Sequence, residues 1–367
     1  MKIAITGPDG FIAWHTRAAL HTRTGNDALL LGRAEFDDPE LMDAILNKAD
    51  AVVHLAGVNR TGDESEIAGV NRWLATQLVA GLRRTNRNIP LVYGNSIHKA
   101  TDTVFGIAKS AAAETLKEWA DETGAAFADV VLPNIYGEHG RPFYNSVVST
   151  FCHQIANGNT PEIQVDREMS LLHVQRAAQI LIDAAEQATA GTIEPKGTLV
   201  TVTGLLERLV RIRDAYLTAD LPDLSDPFTR DLFNTYRSYT FPSQWPIYPE
   251  VRGDQRGELF EVVKSSGGEA QVFFSTTRPG FTRGQHFHLH KVERFLVLRG
   301  SGVIRLRKLF TEEVVEFPVS GDRPAIIDMP TMWVHSIVNT GDDELLTLFF
   351  ADELFDPEYS DTYPEEV

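Results

Sequence analysis

The chain has 367 residues, 34 Lys+Arg against 51 Asp+Glu, a formal net charge of -17 and 43% hydrophobic residues. That is enough apolar material for one large or two ordinary domains, which excludes a disordered chain, a coiled coil and a disulfide-stapled miniprotein. The acidic balance argues against broad contact with a phosphate backbone or an anionic bilayer, so neither nucleic acid nor membrane is an expected partner, while a local basic pocket can still hold a nucleotide.

In chain order, residues 2–6 predict a strand, a glycine-containing turn follows, and 11–22 predicts a helix. Residues 28–31, 51–55, 90–93 and 128–132 are further short apolar strands, alternating with helical patterns around 38–48, 71–84 and 106–121. This rhythm predicts an α/β fold on a Rossmann-type doubly wound parallel sheet. Between 218 and 252 the texture changes to Asp, Ser, Pro and aromatics, including Phe241-Pro242, Trp245-Pro246 and Tyr248-Pro249. Helices and central strands tolerate proline badly, so this stretch is expected to be an inter-domain connector, packed by Tyr236, Tyr239, Phe241 and Trp245. Beyond it, short strands at 270–275, 294–298, 302–306, 313–318, 325–328, 335–339 and 345–351 predict an all-β antiparallel barrel or sandwich. The expected domains are 1–245 and 246–367.

A single cysteine, Cys152, cannot form an internal disulfide, and no cysteine cluster is present for a structural metal, which fits a reducing compartment. The opening Met1-Lys2-Ile3-Ala4-Ile5-Thr6-Gly7 is interrupted too soon for a signal peptide, and no stretch approaches the roughly 18 apolar residues of a membrane span. A cytoplasmic protein is expected.

After the first strand comes Gly7-Pro8-Asp9-Gly10-Phe11-Ile12-Ala13. Glycines here let the chain turn tightly and let a diphosphate approach the N–H groups opening the next helix, around Phe11 and Ile12. The second strand ends in Gly32-Arg33. An acid there would bond a ribose 2′-hydroxyl, whereas arginine can pair with a 2′-phosphate, which favours NADP over NAD. Arg33 is equally readable as a solvated loop charge, and Asp37 lies nearby in sequence.

The Thr6-Gly7-x-x-Gly10-x-x-Ala13 turn, the strand ending His54-Leu55-Ala56-Gly57, and Leu132-Pro133-Asn134-Ile135-Tyr136-Gly137 together resemble the extended short-chain dehydrogenase/reductase family over about residues 1–240. The resemblance implies that Leu55, Ala56 and Gly57 run along the cofactor and that the segment from Asn134 onward lies beside a sugar nucleotide. It also implies that Arg167 and His173 contact diphosphate or shape the sugar pocket. Arg141, Tyr144 and Asn145 stand in the polar turn-rich stretch 140–146, after a predicted strand, where α/β proteins bind ligands. Ordinary surface roles remain open for each.

That family catalyses with a Ser or Thr after the fourth strand and Tyr-x-x-x-Lys on the next helix, whose spacing puts ammonium and phenol on one helical face. Here Ser96 is the hydroxyl, Lys109 is the lysine, and Phe105 stands where the tyrosine would be. Phenylalanine has no exchangeable proton, so two readings stay open: a reductase that works without the tyrosine, with Ser96, a water, Tyr136 or Tyr144 in its place, and a domain that binds nucleotide without reducing.

The strongest constellation is Gly284-Gln285-His286-Phe287-His288-Leu289-His290-Lys291-Val292-Glu293. On a strand, residues two apart share a face, so His286 and His288 can aim inward, Glu293 can return on the next strand, and His335 can complete the set. Three imidazoles and a carboxylate suit Zn, Fe, Mn or Ni. The segment resembles the two motifs of the cupin superfamily, with Pro330-x-Met332 where that family has Pro-x-Gly. His290 shares the parity of the first two histidines and is a candidate alternative ligand or acid/base group. Arg252-Gly253-Asp254-Gln255-Arg256-Gly257-Glu258 resembles the entrance segment of cupin sugar-nucleotide epimerases and makes Arg256 a substrate-binding candidate.

Taken end to end, with His54-Leu55-Ala56-Gly57-Val58-Asn59-Arg60, Tyr144-Asn145-Ser146, Val165-Asp166-Arg167, Gly302-Val303-Ile304-Arg305 and Phe355-Asp356-Pro357, the chain resembles the CapF family of capsular polysaccharide synthesis proteins. The resemblance implies a homodimeric cytoplasmic enzyme whose cupin, holding a divalent metal and foremost Zn, epimerises C3 of a UDP-2-acetamido-2,6-dideoxy-4-hexulose. It implies that the first domain then reduces C4 with NADPH to UDP-2-acetamido-2,6-dideoxy-L-talose. The alternatives are a cupin epimerase with a non-reducing nucleotide-binding domain and an inactive sugar-nucleotide-binding scaffold.

Overall fold

In the computed structural model, which describes residues 1–59 and 64–367, the predicted βα rhythm becomes a six-stranded sheet. Lys2–Thr6 lies between Asp27–Leu31 and Ala51–His54, and Leu91–Ser96, Phe127–Leu132 and Gly191–Ile193 follow on the Ala51–His54 side. Every pairing is parallel. Ala51–His54 and Phe127–Leu132 are buried at every position, as strands covered on both faces must be.

Successive side chains of one strand feed two cores. Ile3 and Ile5 join Leu20, Val53 and Leu181 beneath helices Phe11–His21 and Val174–Glu186, while Ala4 joins Leu46, Leu78, Leu116 and Trp119 beneath Pro39–Leu46, Glu64–Arg84 and Val104–Thr123. In Glu64–Arg84 the buried Ala75, Leu78, Val79 and Leu82 recur at helical spacing, and each fully buried leucine contributes about 1.5–3 kcal/mol. The sheet order reverses between Lys2–Thr6 and Ala51–His54, and the crevice at the carboxyl ends of such strands is where open α/β sheets bind ligands. Thr6 is paired with His54 at that point, so the two glycine motifs lie side by side. Arg60, which closes the motif starting at His54, lies outside the described residues.

By its internal contacts the chain divides into two compact units, Met1–Tyr136 with Glu168–Val200, and Gly137–Arg167 with Thr201–Val367. The second unit holds helices Val147–Ala156, Val202–Tyr216 and Pro227–Thr240 as well as the all-β part. Within the 218–252 stretch lies a helix that the sequence reading did not predict, Pro227–Thr240. Its proline is at the first turn, where a missing N–H costs nothing, Asp226 caps it by accepting from Phe228 N and Thr229 N, and the next proline follows its last residue by two. The prolines bracket the helix and do not interrupt it.

The all-β part is antiparallel, as predicted. One sheet runs Gln271–Thr277, Leu345–Ala351, Glu293–Arg299, Ile326–Met329. The other runs Val314–Ser320, Ser301–Lys308, Trp333–Asn339, Thr282–Phe287, Tyr363–Pro364. Fully buried Arg294 makes two bonds to Asp328, at 2.6 and 3.0 Å, and Tyr216 donates to the same carboxylate at 2.8 Å. This network joins helix Val202–Tyr216 to the β part.

Candidate cofactor cleft and metal centre

In the first unit, Gly7 has φ 62, and a Cβ there would stand 2.9 Å from the Ala56 Cα. Only glycine allows the turn to press so closely on the 55–57 segment. Thr6 Oγ1 accepts from Leu55 N and Ala56 N, both at 2.9 Å, and fixes that segment from below. With both acceptor positions used, the hydroxyl donates its own proton to His54 Nδ1, 2.8 Å away. Gly10 N closes the turn on Gly7 O at 2.9 Å, and Gly10 then opens helix Phe11–His21 with no side-chain cap and no acid in the first turn. Phe11 and Ile12 therefore begin a helix whose positive end suits an anion. At the end of the second strand the Arg33 side chain is 96% exposed and only loosely paired with Asp37, at 3.8 Å. Glu35, which the sequence reading passed over, accepts from Gly32 N at 2.8 Å, and its signal was the acid three residues after a helix start.

Lys109 is buried, its Nζ donating to Gly94 O at 2.8 Å and lying 4.3 Å from the centroid of the Tyr93 ring. Burial pulls its ammonium down to about 8 although Asp129 acts to raise it. Burial, with the Lys109 charge, pushes His54 down to about 3, so that ring is neutral. Ser96 ends the strand that carries Tyr93 and Gly94, and it caps the short turn Ile97–Ala100 by accepting from His98 N at 3.2 Å. Phe105, one helical turn before Lys109, meets the His98 ring edge-on, with centroids 6.5 Å apart. Asn134 donates to Ser170 O at 3.2 Å, and buried Tyr136 packs edge-on against His173 at 5.3 Å.

In the second unit, the Arg141 guanidinium lies 5.2 Å from the centroid of the Tyr144 ring, and Asn145 precedes Ser146, which caps helix Val147–Ala156. Arg167 is exposed, its carbonyl accepting from Val202 N at 3.2 Å. Arg256 is exposed in the hairpin of Arg252–Asp254 and Gly257–Leu259, where Asp254 engages it at 2.5 Å.

The same unit brings His286, His288, Glu293 and His335 together, with all four ligand atoms within 4.8 Å of one another. Glu293 Oε2 lies 3.2 Å from His288 Nε2, 3.1 Å from His335 Nε2 and 3.8 Å from His286 Nε2. Among the described residues His286 Nε2 is buried with no hydrogen-bond partner, as a ligand atom aimed at a cation would be. On the far side of the rings, His335 Nδ1 donates to Trp333 O at 3.1 Å and His288 Nδ1 donates to Asp361 O, which turns both Nε2 lone pairs inward. Burial alone would raise the Glu293 carboxyl, but the imidazoles around it, His288 foremost, hold it well below the usual range. Burial pushes His335 down to about 4. This donor set fits a divalent metal, with Zn, Fe, Mn and Ni all compatible.

Local backbone aims these side chains. The register of Thr282–Phe287 against Trp333–Asn339 shifts between Gly284, at φ 90, and His286, with Gln285 at φ 63, a bulge that redirects His286. The bend at Pro330-x-Met332 survives without glycine: Met332 takes φ 61, and its N–H donates to His288 O at 2.7 Å.

His290 lies beyond the end of Thr282–Phe287, so strand parity does not extend to it. Its Nε2 is 3.0 Å from Glu353 Oε1 and its Nδ1 3.2 Å from Asp361 Oδ2. Asp361, unmarked by any sequence signal, also accepts from the N–H groups of Leu289, His290 and Lys291 at 2.8 to 3.0 Å. A cavity of about 280 Å³ opens here, lined by His286, Lys291, Glu293, Glu353, Phe273 and Phe355.

Residues 3–194 match the NAD dependent epimerase/dehydratase family, and residues 252–363 match the polysaccharide biosynthesis C-terminal domain. A UDP-2-acetamido-2,6-beta-L-arabino-hexul-4-ose reductase of Pseudomonas aeruginosa is 31% identical over 370 residues, covering 99% of this chain and 98% of the relative. The crystal structure of the capsular polysaccharide assembling protein CapF from Staphylococcus aureus aligns over 100% of both chains with 32% identity and a TM-score of 0.65. RMD from Pseudomonas aeruginosa, solved with NADPH, shares the fold over 58% of this chain and 84% of its own, at 19% identity and a TM-score of 0.53.

Proposed function

The chain belongs to the NAD dependent epimerase/dehydratase family, as a CapF-type protein, and from that premise we propose that it is a bifunctional UDP-sugar epimerase and reductase. The substrate is a UDP-2-acetamido-2,6-dideoxy-4-hexulose, epimerised at C3 in the all-β part and reduced at C4 in the first domain to UDP-2-acetamido-2,6-dideoxy-L-talose, a surface polysaccharide precursor. The functional domains are 1–245 and 246–367, and the enzyme is a cytoplasmic homodimer. Among the described residues no helix is long and apolar enough to cross a membrane.

The observation that carries this reading is the convergence of His286, His288, Glu293 and His335, two of which, His286 and Glu293, line a cavity, in a chain that also has a glycine turn pressed against a second cofactor-type segment. A divalent cation, when bound, would draw electron density from the C4 carbonyl and so acidify the C3 proton. His290, oriented by Asp361 and Glu353 at the edge of this site, is the group we assign to proton transfer at C3. In the first domain, NADPH when bound would supply hydride to C4. Gly7, Gly10, Phe11 and Ile12 are assigned to its diphosphate, Arg33 to its 2′-phosphate, and Leu55, Ala56, Gly57 and Lys109 to its nicotinamide half. Ser96 is the hydroxyl nearest in role to a proton donor. Asn134, Arg141, Tyr144, Asn145, Arg167, His173 and Arg256 are assigned to the sugar nucleotide. Reduction removes the ketone that made epimerisation possible, so the second step traps the first.

Phe105 favours a second reading, in which epimerisation occurs and the first domain binds nucleotide without reducing. Incubation of the 4-keto UDP-sugar in D₂O, with and without NADPH, tests both. Deuterium at C3 without NADPH and loss of the ketone only with NADPH are expected. Exchange without ketone loss selects the second reading, and neither event would leave a sugar-nucleotide-binding scaffold.

A further inference from the structure

Helix Pro227–Thr240 makes three side-chain contacts along one face with segments around the candidate metal donors. Arg230 Nη1 donates to Glu353 Oε1 at 3.0 Å, the carboxylate that also holds His290. Asn234 Nδ2 donates to His290 O at 2.7 Å, and Arg237 Nη1 donates to Met329 O at 3.2 Å, one residue before the Pro330-x-Met332 bend. Positions 230, 234 and 237 follow helical spacing, and Arg237 Nη2 donates to Asn234 Oδ1 at 2.6 Å, which fixes the amide so that its N–H₂ faces His290. Asn234 and Arg237 are 3% and 1% exposed.

The last turn of the same helix holds the start of the polar loop. Ser238 Oγ accepts from His139 N at 3.3 Å, and Tyr239 donates to Gly140 O at 2.5 Å. A second route leaves the same loop directly. Glu138, 1% exposed, accepts from Thr331 Oγ1 at 2.9 Å, and Thr331 sits inside the bend whose Met332 N–H is bonded to His288 O. Residues 138–140, immediately ahead of Arg141, Tyr144 and Asn145, are thus tied to the carbonyls and carboxylates that place His288 and His290. The bonds of Arg237 to Met329 O and Asn234 and of Thr331 to Glu138 are buried and the others part-buried, and directed bonds of this kind leave little room for one end to shift alone.

We propose that helix Pro227–Thr240 and Glu138 are positioning elements that link the 139–146 loop to the metal centre, so that a nucleoside diphosphate held by the loop tightens the metal site and the metal tightens the loop in return. The inference rests on the reading of that loop as a sugar-nucleotide contact. Linkage requires the effect to be reciprocal.

The test uses the full chain loaded with Co²⁺, whose visible spectrum reports ligand geometry, and UDP as the probe. Calorimetry should record UDP binding, UDP should change the Co²⁺ spectrum, and it should slow metal release to a chelator by about fivefold or more. Thr331→Val, which keeps shape without the hydroxyl, and Asn234→Asp, which keeps the Arg237 bond but loses the donor to His290, should reduce that slowing to less than about twofold. Thr331→Ser should restore it, a rescue that a mere packing role does not predict. UDP binding with no change in spectrum or release rate overturns the linkage. Failure of UDP to bind overturns the reading of the loop and the linkage with it, and an unchanged UDP effect in folded Thr331→Val and Asn234→Asp removes these residues from it.

Discussion

The Lys109 ammonium lies against the face of Tyr93, 4.3 Å from the ring centroid, and His54 stacks on the same ring at 5.5 Å. Burial, with the Asp129 charge, raises the Tyr93 phenol, so the ring stays neutral and its face remains attractive to a cation. The lysine is held in place by its aromatic floor and by Gly94 O before any ligand arrives.

That position gives Lys109 opposite effects on activity and on stability as pH rises. Its ammonium is lost above about 8, so kcat/KM for ketone reduction should fall on that alkaline limb, and the limb should be absent in the residual activity of Lys109→Met. Stability should move the other way. Between about 8 and the ordinary lysine value of 10.5 the unfolded chain holds a proton that the folded chain has released, so unfolding free energy rises with pH by at most about 3 kcal/mol relative to Lys109→Met. Parallel pH series of kinetics and denaturant melts check both signs, and an alkaline limb near 10.5 would contradict the burial argument.

Phe105→Tyr restores a phenol one helical turn before Lys109. If proton delivery limits reduction, turnover with NADPH should rise at least about tenfold, since a positioned general acid contributes about 10²–10⁴-fold. Deuterium exchange at C3 should not change. Unaltered turnover in a folded variant would mean that another donor already serves C4.

Glu293→Gln should leave the protein with substoichiometric metal by elemental analysis and abolish C3 exchange, while NADPH binding persists. Chelation of the wild type should lower its melting temperature, because a ligand at 1,000 times its Kd stabilises by about 4 kcal/mol. An identical melt with and without chelator would argue against a resident metal at the four donors.

At Met332 the usual order of glycine and alanine should invert. The buried side chain is lost in both variants, at about 2–5 kcal/mol, but alanine must also keep φ 61, which costs an L residue about 1–2 kcal/mol that glycine avoids. Met332→Gly should therefore be more stable than Met332→Ala, though below wild type. Urea melts of the three proteins decide this, and an alanine variant at least as stable as glycine would show that the bend relaxes.

The candidate donor cluster was legible because His286, Glu293 and His335 lie on or at the ends of strands whose period is two, and their neighbours carry the turn residues of an antiparallel β fold. The glycine turn was legible because steric need at Gly7 is a local matter. Helix Pro227–Thr240 was not, since prolines at a helix start and after its end look, in sequence, like prolines in a coil. Glu138 and Thr331 are 193 residues apart, and nothing local marks a carboxylate for a distant hydroxyl. His290 illustrates a third limit, because parity is informative only as far as the strand runs.

Asp361 supports the His288 to Lys291 loop through three N–H groups, although His288 precedes it by 73 residues. Translation runs from the amino end, so every donor atom emerges before the aspartate that gives their loop its shape. Until Asp361 is made and docked, the loop lacks the acceptor that gathers the N–H groups of Leu289, His290 and Lys291, so its final shape is set late in folding.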